Sequence, residues 1–129
     1  MIALDSNVFI YALNAHPEFG QKAREVLLSR YEKVACELIF GEIFSSPKLE
    51  NESLGNKVMS FLEDQRIDYV PITREVNLKA GQLRRKYKSL KMADALHLAA
   101  AILCGADIFI TNDSSLAKLS LPGLKVNIL

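Results

Sequence analysis

Apolar residues along this 129-residue chain recur at two spacings. Steps of three and four put Phe19, Ala23, Val26, Leu27 and Tyr31 on one face of FGQKAREVLLSRY, and Leu54, Val58, Phe61 and Leu62 on one face of ESLGNKVMSFLED. Both segments are therefore predicted helices. The same steps join Val76, Ala80, Leu83, Tyr87 and Leu90, and leave the basic residues of that segment mostly on the outer side. MADALHLAAAILCG is apolar nearly all round after its first turn, which predicts a buried helix ended by Gly105.

Between these helices lie short strand-like runs: Met1 to Leu4, Val34 to Cys36, Ile67 to Ile72, Asp107 to Thr111 and Lys125 to Leu129. IAL and IFI are continuously apolar rather than alternating, as expected of strands covered on both faces of a parallel sheet. Strands that alternate with helices predict a three-layer α/β/α fold with a short, mostly parallel central sheet. No linker, repeat or low-complexity stretch interrupts the chain, so residues 1–129 are read as a single domain.

Half of the residues are hydrophobic, enough for a core of its own. Cys36 and Cys104 form no CxxC pair and each sits in an apolar run, which points to two reduced thiols and a cytoplasmic home. The N-terminal apolar run is interrupted by Asp5, and no run reaches the roughly 18 residues that span a bilayer. Neither a signal peptide nor membrane insertion is expected.

The net charge of +1 hides an uneven distribution. From Val76 to Ala93 there is no acid, while Lys79, Arg84, Arg85, Lys86, Lys88 and Lys91 contribute +6, so the remainder carries −5. Such a segment is ordinarily a solvated helix face. On an otherwise acidic molecule it is also a candidate nucleic-acid footprint, with Arg84, Arg85, Lys88 and Lys91 as the candidate phosphate contacts.

In α/β folds ligands gather at the carboxyl ends of the strands. Asp5 follows IAL and Asp113 follows DIFIT, so each carboxylate lies at such an end. Asp94 stands in the first turn of the helix that runs back to the second of these strands, and Glu42 early in the helix after VAC, which brings both to the same edge. Singly, each has a local explanation: Asp5 as a turn residue, Asp94 complementing a helix dipole, Asp113 capping SSLAK. Together they repel. At about 6 Å and an effective dielectric near 20, each pair costs on the order of 3 kcal/mol.

Something positive is expected among them. An oxygen-rich donor set without a Cys or His cluster suits Mg²⁺ or Mn²⁺ better than zinc. His97, one turn after Asp94, can approach the site, but it reads equally well as a polar residue packed under a buried helix. It is not assigned to the metal. Such a cation activates water and polarises a phosphoryl oxygen, which is the chemistry of phosphodiester hydrolysis.

LDSNVFIYAL, GEIF, MADALHLAAA and FITNDSSLAKL, in this order, resemble the PIN domains, and most closely the VapC-type toxin nucleases of toxin–antitoxin pairs. The resemblance implies a PIN-like fold and a Mg²⁺- or Mn²⁺-dependent endoribonuclease that cuts single-stranded RNA, leaving 5′-phosphate and 3′-hydroxyl ends. Carried over residue by residue, Asp5, Glu42, Asp94 and Asp113 match the acidic catalytic and metal-binding set. Glu37 is the alternative to Glu42 in the same segment, and Asp113 either ligates directly or orients a group that does. Asn7 and Thr111 match polar positions that orient carboxylates or water. Toxins of this kind form homodimers and are inhibited by a cognate antitoxin whose chain inserts near the acids.

Two other functions share these features. One is a PIN nuclease of RNA processing or quality control, with the same active site and no antitoxin. The other is a non-catalytic module that binds RNA or protein, against which the retention of four mutually repelling acids argues. The large apolar residues Phe9, Ile10, Leu13, Ile39, Phe40, Ile43 and Phe44 are read first as core.

Overall fold

The computed structural model describes residues 1–129, and its central strand is set by three residues buried on both faces: β1 (Ile2–Leu4). It pairs in parallel with β2 (Lys33–Cys36) on one side and β4 (Ile108–Thr111) on the other. β3 (Ile67–Val70) and β5 (Lys125–Ile128) add parallel edges, giving the order β3-β2-β1-β4-β5. All five expected strands are present and the sheet is wholly parallel. β3 is shorter than expected, ending before Pro71, which has no N–H to donate.

Side-chain alternation along β1 and β2 divides the core. Ile2, Leu4 and Ala35 pack beneath α1 (Ser6–Leu13), α2 (Gly20–Leu28), α3 (Leu38–Phe44) and α4 (Glu52–Asp64). Ala3, Val34, Cys36 and Phe109 pack on the opposite face beneath α5 (Arg74–Lys86) and α6 (Met92–Leu103). The three-layer expectation therefore holds. α6 is buried from Ala95 to Ala101 and ends as expected at Gly105, whose φ of +78° is the left-handed conformation that glycine accommodates.

Several expectations fail at the ends of elements. α2 stops at Leu28, so Tyr31 leaves the predicted face and is 68 % exposed. Leu54, in the first turn of α4, is also exposed, whereas Val58 and Leu62 are buried. α5 stops at Lys86, and Leu90 reaches the core from a loop rather than from a helix. Ile108 and Ile110 of β4 are only half-buried, because they line an open groove between α2 and β5. Both cysteines are free thiols; Cys36 is buried and Cys104 half-buried. No helix is long and apolar enough to cross a membrane.

The strand order creates one topological switch. The chain winds outward from β1 through β2 to β3, then returns by α5 and α6 to β4 on the other side of β1. A crevice forms where such connections diverge, at the carboxyl ends of β1 and β4. Asp5 and Asp113 follow those two strands.

Candidate active site

Asp5 is the N-cap of α1. Its carboxylate accepts from the Ser6 amide at 2.8 Å and from the Thr111 hydroxyl at 2.7 Å, and it is almost wholly buried. Capping and crossing to β4 are thus two tasks of one side chain. Thr111, fully buried, also accepts from the Asn7 amide nitrogen at 3.3 Å and from the Asp113 backbone N–H at 3.1 Å. The Asp113 carboxylate turns toward Ser115, accepting from its amide at 2.9 Å and its hydroxyl at 2.6 Å, which fixes the turn before the short 3₁₀ helix Leu116–Lys118. It therefore shapes the turn and does not cap the 3₁₀ helix itself, whose N-cap is Ser115.

Asp94 stands in the first turn of α6. Burial pushes its carboxyl above the ordinary Asp range of 3.8, and the charges of Asp5, Asp113 and Glu42 push the same way, opposed by His97. No hydrogen bond to the protein relieves it. The other three acids singled out in the sequence are therefore all close enough to act on Asp94. Glu37 is absent from the groups that act on Asp94; it is exposed at the start of α3 and makes no capping bond.

Glu42 lies further along its helix than expected, in the second turn of α3, and points to α6. Its Oε1 is bonded to Nε2 of His97, and the same nitrogen is 3.8 Å from Asp5 Oδ1. His97 is buried, and its Nδ1 has no hydrogen-bond partner. The sequence alone does not assign His97 to the site, yet it carries a signal: three residues after Asp94, His97 shares that residue's helix face.

A family model for the PIN domain matches residues 2–121. The chain belongs to the PIN domain family. Solved structures of similar fold include VapBC2 from Rickettsia felis bound to a promoter DNA fragment, at 19 % identity and a TM-score of 0.73 over 99 % of this chain and 98 % of that one. A toxin–antitoxin complex from Klebsiella pneumoniae gives 21 % and 0.72 over 96 % and 95 %, and DNA-bound VapBC from Salmonella typhimurium 20 % and 0.72 over 98 % and 96 %. No curated protein matches the chain in sequence.

In this PIN domain no three acidic, histidine or cysteine side chains form a ready-made ligand group. Glu42 is turned to His97, Asp113 to Ser115 and Asp5 to Thr111. The donor set nevertheless fits a hard divalent cation: four carboxylates at one crevice, and beside them Asn7 Oδ1, a buried oxygen without a donor.

The basic segment lies at the same end of α6. Arg84, Arg85 and Lys88 line a shallow surface hollow of about 330 Å³ with Gly81 and Met92, and Lys91 is the residue before α6 begins. None is in a salt bridge, since the ion pairs of the fold are Met1 with Asp107 and the two contacts of His97. Arg84 has a structural task as well, its Nε donating to the Leu90 carbonyl at 2.9 Å and holding the loop that leads into α6.

Proposed function

We propose that this PIN domain is a Mg²⁺- or Mn²⁺-dependent endoribonuclease acting on single-stranded RNA, and the toxin of a toxin–antitoxin pair. The observation that carries the nuclease assignment is the placement of the acids in a PIN domain: Asp5 and Asp113 follow the two strands at the one switch point of the sheet, Glu42 meets Asp5 there across His97 Nε2, and Asp94 stands one turn before His97 on α6. Charges placed so as to repel are retained where a cation repays them.

Asp5, Glu42, Asp94 and Asp113 are the residues that would hold the ion. When bound, a divalent cation lowers the pKa of water and polarises a phosphoryl oxygen for in-line hydrolysis. The protein's own contribution is orientation. Thr111 and Ser6 hold Asp5, Ser115 holds Asp113, and Arg85, Lys88 and Lys91 draw the phosphate backbone toward the amino end of α6.

The toxin assignment is supported by the similar solved structures, which are toxin–antitoxin assemblies. A groove of about 540 Å³ includes Glu42 in its wall, with Ile10, Leu13, Ile43, Leu49, Leu54 and Val58 as its apolar lining and Lys48 and Lys57 among its polar lining. We assign the antitoxin's chain to it. A homodimer belongs to the same proposal and is tested by light scattering of the purified protein.

The deciding experiment incubates purified protein, freed of any partner, with mixed-sequence single-stranded RNA and Mg²⁺ or Mn²⁺, beside EDTA, Asp5→Asn and Asp94→Asn controls. Cleavage to 5′-phosphate ends that EDTA and both substitutions abolish is expected. RNA that stays intact with either metal would overturn the nuclease assignment.

A further inference from the structure

We infer that His97 is a positioning residue, whose Nε2–H holds the Glu42 carboxylate beside Asp5; its role in the reaction rests on the nuclease reading above. The four acids differ in what fixes them. Asp5 has Ser6 and Thr111, and Asp113 has Ser115. Glu42 has His97 alone, and about a third of its side chain is open to solvent. A carboxylate can only accept, so the proton of this contact lies on Nε2.

The other ring nitrogen shows what the placement is for. Both polar contacts that the ring makes with the protein run through one nitrogen, Nε2. Nδ1 is buried and bonds to no protein atom, while Nε2 reaches Glu42 and comes within 3.8 Å of Asp5. The ring is oriented by the acids and not by its helix. With one Glu42 oxygen taken by His97, the second remains for a ligand, the arrangement by which outer partners orient metal-binding carboxylates. The contact also spans α3 and α6, on opposite layers of the sheet, so it fixes the width of the crevice.

Two substitutions separate this role from packing. His97→Leu fills the volume without a donor, whereas the amide of His97→Gln can place an N–H near the position of Nε2. With the nuclease reading correct, His97→Leu lowers Mn²⁺ affinity by calorimetry, and kcat on RNA with KM unchanged, by roughly 10- to 100-fold, and His97→Gln recovers most of both. Wild-type Mn²⁺ affinity and kcat in folded His97→Leu would overturn the inference.

A third readout needs neither metal nor RNA. In the metal-free wild type the His97 Nε2 proton should give an exchange-protected imidazole NMR signal that Glu42→Ala removes. Its persistence in Glu42→Ala, or its absence from the wild type, would overturn the contact itself. A wild type that shows the signal yet binds no Mn²⁺ would uphold the contact and overturn the metal reading instead.

Discussion

The Thr111 hydroxyl donates to the Asp5 carboxylate at 2.7 Å, between residues 106 positions apart in the chain. The bond crosses from the end of β4 to the end of β1, so the switch point of the sheet is closed by a charge-assisted hydrogen bond in a buried setting. Thr111→Val should lower stability by roughly 1.5–3 kcal/mol, because it leaves a buried carboxylate oxygen without its donor. Thr111→Ser keeps the hydroxyl and should lose much less. Denaturant unfolding of the two variants in EDTA checks this.

Asp94 should cost the metal-free fold stability. An acid whose pKa is raised on folding binds its proton more tightly in the native state than in the unfolded chain. Stability contributed by the protonated form is therefore lost as pH climbs above the ordinary Asp value of 3.8 and stays lost at neutral pH. Asp94→Asn should raise the melting temperature in EDTA at pH 7, by at most ~4 °C because the site is partly open and screened. The gain should shrink as the pH is lowered toward the ordinary Asp range. A lower melting temperature for Asp94→Asn in EDTA would contradict the repulsion.

The close approach of α1 and α2 depends on Gly20. A Cβ there would lie 3.0 Å from the Ala15 carbonyl carbon and 3.2 Å from the Tyr11 carbonyl oxygen, both backbone atoms. Gly20→Ala should therefore destabilise by about 1–3 kcal/mol, against the ~1 kcal/mol that alanine gains over glycine within a helix. Thermal unfolding gives the sign directly.

Reversal of charge at the end of α5 tests the phosphate track. Arg85→Glu with Lys88→Glu should weaken binding of single-stranded RNA and lower its logarithmic salt slope by about 1.4, the scale expected when two phosphate contacts are lost. Arg84 is left out of that pair because its bond to the Leu90 carbonyl holds the loop before α6. Unchanged affinity and salt slope would make this segment a solvated helix face.

Much of this architecture is legible in the chain itself. β1 and α6 can be read because burial on all sides leaves an uninterrupted apolar run, and Asp5 and Asp94 stand out where those runs begin or end. Local pattern and tertiary contact part at the ends of helices and between layers. Tyr31 and Leu90 keep helical spacing beyond the last turn of their helices, since periodicity continues past the point where backbone bonding stops. His97 was ambiguous for another reason. Its partner Glu42 is 55 residues away on another layer, and no local pattern records that meeting.

We propose that the four acids are kept together at this crevice for a divalent cation. Calorimetric titration of the metal-free protein with Mn²⁺, repeated on Asp5→Asn and Asp94→Asn, tests it most directly. Saturable binding by the wild type, at least tenfold weaker in both variants, with a melting temperature that rises with Mn²⁺ only in the wild type, is the predicted result. Absence of binding by the wild type, or equal binding by all three proteins, would contradict it.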